Sequence, residues 1–199
     1  MGIAFDVNEE VLIPRSDTEI LVESVLGDVQ AAATTGRNFR ILDLCCGSGV
    51  IGLSLAANLP DCRVVLADIS EAAVGLARAN LAKIAGGAAT PALKKVALKQ
   101  GDLLAPFKGR FRTEKFDIIA TNPPYIPSAE IAALEPEVNE HEPKLALDGG
   151  PKSSLSIGAF CVKRRLICAP EANCIWKSVR RKHPKSNSLR RKRIFMEAR

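Results

Sequence analysis

Asn122-Pro123-Pro124-Tyr125 sets two consecutive prolines between an amide and a phenol, a combination suited to holding a reacting nitrogen. Each proline fixes φ and lacks an N–H, which leaves an inflexible loop whose carbonyls point outward as acceptors. A planar amide or aromatic amine is a poor nucleophile because its lone pair is delocalised. If the Asn122 side-chain oxygen and the Pro123 carbonyl each accept one N–H, that lone pair is aimed at an electrophile and its delocalisation is weakened. No general base is then required before transfer. The plain alternative for such a stretch is a proline-rich turn.

A second constellation lies upstream, in Asp43-Leu44-Cys45-Cys46-Gly47-Ser48-Gly49. Gly47 to Gly52 matches the G-x-G-x-x-G fingerprint of dinucleotide sites, with Asp68 about 20 residues further on, but this match alone is weak evidence for NAD. An acid ending the strand before the glycines repels a pyrophosphate and suits the methionine ammonium of S-adenosylmethionine. Asp68 could accept both ribose hydroxyls, and Asp102 stands where an adenine amino group would lie. Three acids at three strand ends fit one nucleoside-bearing cation. Taken singly, any one of them also reads as a helix cap or a solvated loop acid, and Asp102 equally well so. With a sulfonium methyl as electrophile, Tyr125 offers a flat wall and a π-face to both the planar target and the cationic methyl.

The elements that must position these residues are legible in the periodicity. Ser16-Asp17-Thr18-Glu19 has capping-box spacing before an amphipathic helix. Arg40 to Leu44 reads as a buried strand, Gly47 to Gly49 as a tight turn, and Val50 to Asn58 as a helix ended by Pro60. Val64 to Asp68 is a second strand, and Ser70 caps a helix running to Ala85 before Gly86-Gly87. Lys95 to Gln100 and Phe116 to Thr121 supply a third and a fourth strand. Strands alternating with helices predict an α/β, doubly wound, mostly parallel sheet with ligands at the carboxyl ends of its strands.

Composition divides the chain. Its 199 residues carry a net charge of +6, yet residues 1–149 hold 14 Lys/Arg and 20 Asp/Glu, net −6, whereas residues 150–199 hold 14 and 2, net +12. This asymmetry predicts a boundary near Gly149-Gly150, with a catalytic core over 1–150 and a basic tail over 151–199. Six cysteines (45, 46, 62, 161, 168, 174) form no CxxC pair and no Cys/His cluster at zinc spacing, so buried free thiols are expected and no metal. No apolar run reaches about 18 residues and Met1 to Glu10 lacks a signal-peptide pattern, so the expected setting is soluble, intracellular and cytoplasmic, without a membrane partner.

The stretch from Phe5 to Gly150 resembles the HemK/PrmC family, the peptide chain release factor N5-glutamine methyltransferases. Three segments carry the resemblance: Val11-Leu12-Ile13-Pro14-Arg15-Ser16-Asp17-Thr18-Glu19, Asn122-Pro123-Pro124-Tyr125, and Glu135-Pro136-Glu137-Val138 through Glu142-Pro143 to Ala146-Leu147-Asp148-Gly149-Gly150. The central tetrapeptide is shared with adenine-N6 methyltransferases, and the flanking pair separates the two. The resemblance implies a class I S-adenosylmethionine-dependent methyltransferase sheet and transfer of a methyl group to the glutamine amide of the release factor's Gly-Gly-Gln loop. It implies that Asn122, Pro123, Pro124 and Tyr125 bind that amide. It also implies that Cys45, Cys46, Gly47, Ser48, Gly49, Asp68, Leu103 and Asn122 contact the cofactor, beside Asp43 and Asp102 from the strand-end argument. Cys45 stands where many members have glycine. The other readings are an adenine-N6 nucleic-acid methyltransferase and an inactive truncated fragment.

The family normally begins with a helical domain, whereas four residues precede Phe5 here, and its pattern stops beyond Gly150. Lys163-Arg164-Arg165, Arg180-Arg181-Lys182 and Arg190-Arg191-Lys192-Arg193 follow instead, as expected of a shifted reading frame or altered transcript. The sheet is therefore expected to be incomplete on its C-terminal side and the tail poorly ordered, with nucleic-acid contact, if any, confined to its basic clusters.

Overall fold

The computed structural model describes residues 2–32, 38–87, 90–107 and 115–151. The expectations for the tail concern residues outside these, from 152 onward. Helix α1 (Ser16–Ala31) leads into strand β1 (Arg40–Leu44), helix α2 (Val50–Asn58), strand β2 (Arg63–Asp68) and helix α3 (Glu71–Ala85). Strands β3 (Ala97–Gln100) and β4 (Ile118–Thr121) precede two short helices, α4 (Pro136–His141) and α5 (Lys144–Leu147).

The four strands are parallel and ordered β3-β2-β1-β4. From β1 the chain winds outward through β2 to β3, then returns to the other side of β1, so the winding reverses beside β1. Register aligns the carboxyl ends there: Leu44 pairs with Ala67 on one side and with Thr121 on the other. The residues that follow, Cys45, Asp68 and Asn122, thus leave the sheet side by side. Such a reversal opens a crevice at the strand ends, where α/β sheets bind their ligands.

Alternation along the strands sorts their side chains between two faces. Ile41, Val64, Leu66, Ile118 and Ala120 face the helical layer, where they pack with Leu21, Val22 and Val25 of α1, Leu53 and Leu55 of α2, and Ala77 of α3. Leu42, Leu44, Ala67 and Ile119 face the opposite way onto Leu104, Phe107 and Phe116, the two rings meeting edge to face at 5.4 Å. Helix α2 is apolar all round because it lies inside: Ile51, Leu53, Leu55 and Ala56 are almost wholly enclosed. Ile51, Leu53 and Leu55 each contribute about 1.5–3 kcal/mol relative to exposure.

Local signals were met unevenly. Ser70 caps α3 as its position predicts, its Oγ accepting the Ala73 N–H at 3.2 Å. The capping box at Ser16 does not form. Helix α1 begins at Ser16 itself, Arg15 takes the N-cap position without a side-chain cap, and the Thr18 N–H is satisfied by the Arg15 carbonyl at 2.8 Å. With Ser16 already inside the first turn, its hydroxyl no longer occupies the position from which it could cap. The third strand is shorter than the Lys95–Gln100 expectation, because Leu93–Lys95 closes a 3-10 turn before it; the fourth begins at Ile118 rather than Phe116.

Candidate active site

At the end of β1 the backbone turns back on itself. Cys45 (φ +58°), Gly47 (φ +53°) and Gly49 (φ +82°) adopt the left-handed region within five residues. For Gly49 this conformation coincides with close packing: a Cβ there would lie 2.9 Å from Leu66 Cδ2 and 3.0 Å from Leu53 Cδ1. At Gly47 a Cβ would meet nothing within 4 Å, so the outer side of the loop is open. Cys45 holds its conformation without glycine's freedom, as does Leu103 (φ +44°) after β3. Non-glycine residues held this way cluster at ligand-binding loops.

Asp68, the last residue of β2, fastens the turn. Its Oδ2 accepts the Gly47 N–H at 2.9 Å and its Oδ1 accepts the Ser70 N–H at 3.0 Å. Both oxygens keep a further lone pair for a hydroxyl donor. Asp102 is exposed beyond β3, where its carbonyl accepts the Ala105 N–H at 2.8 Å.

Asp43 is set deeper than the strand-end argument implies. It is fully buried in the β1–α2 junction, where Oδ2 accepts the Gly52 N–H at 2.8 Å and Oδ1 has no partner among the described residues. Burial, countered in part by the Gly52 N–H and reinforced by the charge of Asp68, pushes its carboxyl up to about 7. The folded state therefore holds a proton that the unfolded chain has released above its ordinary value of 3.8. The stability this contributes is complete below that value and is lost as pH rises through about 7, at about 1.4 kcal/mol per pH unit at most. Urea unfolding between pH 4.5 and 8 should show wild type losing stability relative to Asp43→Asn across this window. A constant difference between the two proteins would mean that Asp43 does not titrate there.

Neighbouring thiols are held protonated for the same reason: burial raises Cys45 to about 12 and Cys46 higher still, reinforced by nearby carboxylates. They are poor nucleophiles at neutral pH. Cys62 is likewise free, and no group of three or more metal-ligating side chains exists among the described residues. No helix among them is long and apolar enough to cross a membrane.

Asn122-Pro123-Pro124-Tyr125 extends from β4 directly beside Cys45. The Thr121 hydroxyl ties the two strand ends by donating to the Leu44 carbonyl at 2.6 Å. On its far side the loop is laced to the end of α5 and the residues after it: the Ile126 N–H reaches the Leu147 carbonyl at 3.0 Å and the Gly149 N–H the Ile126 carbonyl at 2.8 Å. Asp148 adds a clasp, accepting from the Ser128 hydroxyl at 2.6 Å and the Gly150 N–H at 2.8 Å, and these two bonds hold its carboxyl below the usual range.

A pocket opens against this loop. Its lining includes the apolar Leu12, Leu21, Val138 and Leu147 and the polar Arg15, Asn122, Tyr125 and Glu142. Arg15 Nη2 is ion-paired with Glu142 Oε1, and Glu142 is almost wholly buried. All three segments that carry the sequence resemblance thus line one cavity.

Asn80 escaped the sequence reading. It is completely buried on α3, where Nδ2 donates to the carbonyls of Ser48 and Asp6, each at 3.0 Å, and Oδ1 accepts the Asp6 N–H at 2.8 Å. It pins the N-terminal segment to the glycine turn. Its position on the stripe Ala73, Ala77, Asn80 was a usable signal, because a lone amide on the buried face of a helix needs partners. Arg15, Glu142 and Gly149 were visible only as parts of matching segments.

The donor set fits a cationic nucleoside better than a dinucleotide. Asp68 and Asp102 stand at or beside the ends of β2 and β3, among the described residues no basic side chain bonds to the glycine turn, and its outer face is open at Gly47, whereas Asp43 is enclosed beneath the turn. The architecture defines the class: a Rossmann-like sheet of the class I methyltransferase type, also found in the hMettl16 catalytic domain solved in complex with MAT2A 3'UTR hairpin 6. That structure aligns with a TM-score of 0.55 at 16% identity, over 82% of this chain and 59% of the other.

Residues 17–140 match the methyltransferase small domain, and the chain belongs to that family. It is 44% identical over 151 residues to a release factor glutamine methyltransferase of Moorella thermoacetica, covering 76% of this chain and 48% of the relative. A relative of the same name from Geobacter sulfurreducens is 42% identical over 149 residues, covering 75% and 46%. The chain thus spans about half the length of the curated relatives it matches.

Proposed function

We propose that this chain carries the catalytic core of a protein-glutamine N5-methyltransferase whose substrate is the glutamine of the Gly-Gly-Gln loop of peptide chain release factors, and that it works in the cytoplasm with S-adenosylmethionine as donor. The observation that carries this reading is the convergence of the Asn122–Tyr125 loop, the Arg15 segment and the Glu142 segment on one pocket beside the glycine turn.

The cofactor supplies a methyl group on a sulfonium, an electrophile that needs no activation by acid. Asp68 would hold its ribose hydroxyls, the turn from Cys45 to Gly49 would give its chain a close backbone approach, and Asp102 and Leu103 would serve the adenine. Asn122 Oδ1 and the Pro123 carbonyl accept the two N–H groups of the target amide, turning its lone pair toward the methyl. As the sulfur–methyl bond breaks to leave a neutral thioether, the nitrogen gains the methyl and releases one proton to solvent. Pro123 and Pro124 keep the acceptors from relaxing away, and Tyr125 backs the planar amide.

Two measurements test the reading. Methyl transfer by the full chain should be seen with a release factor and not with a ribosomal protein or adenine-containing DNA; transfer to DNA alone would replace it with the adenine-N6 alternative. Calorimetry should detect S-adenosylmethionine and not NAD, with Asp68→Ala weakening binding by about 1–3 kcal/mol through lost hydrogen bonds. Binding of NAD alone would overturn the cofactor assignment.

A further inference from the structure

Glu142 presents an unmade bond. Of its two carboxylate oxygens, Oε1 is engaged by Arg15, while Oε2 is buried and has no hydrogen-bond partner among the described residues. The residue is 6% exposed, yet it lines the pocket shared with Asn122 and Tyr125. A buried acceptor on a charged group is too costly to leave unpaired when a donor can reach it.

The chemistry restricts that donor. A carboxylate oxygen only accepts, so the partner must bring an N–H or O–H. Arg15 already neutralises the charge, so a second cation has no particular advantage and a neutral donor fits. The same lining includes the apolar Leu12, Val138 and Leu147, which suits a short uncharged stretch of chain. Asp17 lies on the same pocket, and the excess positive charge of the chain belongs to residues 150–199 and not to residues 1–149, so the pocket itself offers a phosphate little attraction. These properties favour a peptide over a nucleic acid.

We propose that Glu142 is a substrate-recognition residue whose Oε2 accepts a main-chain N–H of the peptide flanking the methylated side chain, with Arg15 fixing its orientation. This rests on the glutamine-methyltransferase reading above and adds to it a contact that reads the backbone rather than the target amide. The same contact aligns the peptide so that its side chain enters the Asn122–Tyr125 loop.

An ester scan tests this on the full 199-residue chain. The probes are fluorescein-labelled peptides around a central glutamine, each with one flanking amide replaced by an ester, which removes a single N–H. Their Kd is read by anisotropy and their methylation by isotope transfer. With wild type, one ester position should weaken binding about tenfold. Glu142→Gln should weaken the parent peptide by a similar factor, raising KM with little change in kcat, and the sensitive ester should then cost less than twofold more.

Uniform tolerance of esters by wild type overturns the proposal without any need for the variant to fold. So does additivity of ester and variant at every position, or a fall in Tm with unchanged peptide affinity, either of which makes Arg15–Glu142 a structural pair only. In those cases the parent peptide is still methylated and the functional reading stands. A wild-type chain that ignores the parent peptide but methylates an adenine oligonucleotide overturns both.

Discussion

Asn122→Ala is expected to lower methyl transfer by roughly 100-fold or more while leaving cofactor binding largely intact. Removing one positioned hydrogen-bonding group from a reacting centre typically has this effect. The expectation follows from register: Leu44 pairs with Thr121, so Asn122 leaves β4 level with Cys45 at the start of the glycine turn. The loop is braced on both sides, by Thr121 on Leu44 and by Ile126 on Leu147, so the substitution removes an acceptor without freeing the backbone. Single-turnover transfer to a Gly-Gly-Gln protein, with cofactor affinity measured in parallel, checks it. Near-full activity would show that Asn122 does not hold the substrate amide.

Gly149→Ala is expected to lower activity about 10- to 100-fold although residue 149 is outside the Asn122–Tyr125 loop. A Cβ there would lie 2.9 Å from Tyr125 Cα and 3.0 Å from both Pro124 O and Tyr125 C. These are backbone atoms, so no flexible side chain can move aside. The loop must shift, and a displacement of about 1 Å at a reacting centre costs on the order of 100-fold. Overpacking should also destabilise the fold by about 1–3 kcal/mol. Cofactor affinity should hold, since the glycine turn belongs to another part of the chain. Unchanged turnover in a folded Gly149→Ala protein would show that the loop tolerates the displacement.

Among the helices, sequence and structure agree where the signals are local. Val50–Asn58 and the helix capped by Ser70 stand where periodicity and breakers put them. Ser16 has capping-box spacing but no cap forms there: a spacing match states which bonds are possible, and the start of the helix decides otherwise. Asp43 shows the limit from another side. Its position at a strand end before glycines was plain, but its enclosure under Gly52, and hence its raised pKa, depends on how closely α2 settles on β1.

By itself the sequence determined the alternation of strands and helices, the glycine turn and the rigid Asn122–Tyr125 loop, because each is encoded by neighbouring residues whose backbone preferences act over a few positions. Only the tertiary structure decided that Arg15 meets Glu142, 127 residues away, that Asn80 ties Asp6 to Ser48, and that Gly149 lies against Tyr125. No local preference encodes such pairings. They arise when a parallel sheet reverses its winding beside β1 and brings distant segments to one crevice, where burial requires polar groups to find partners.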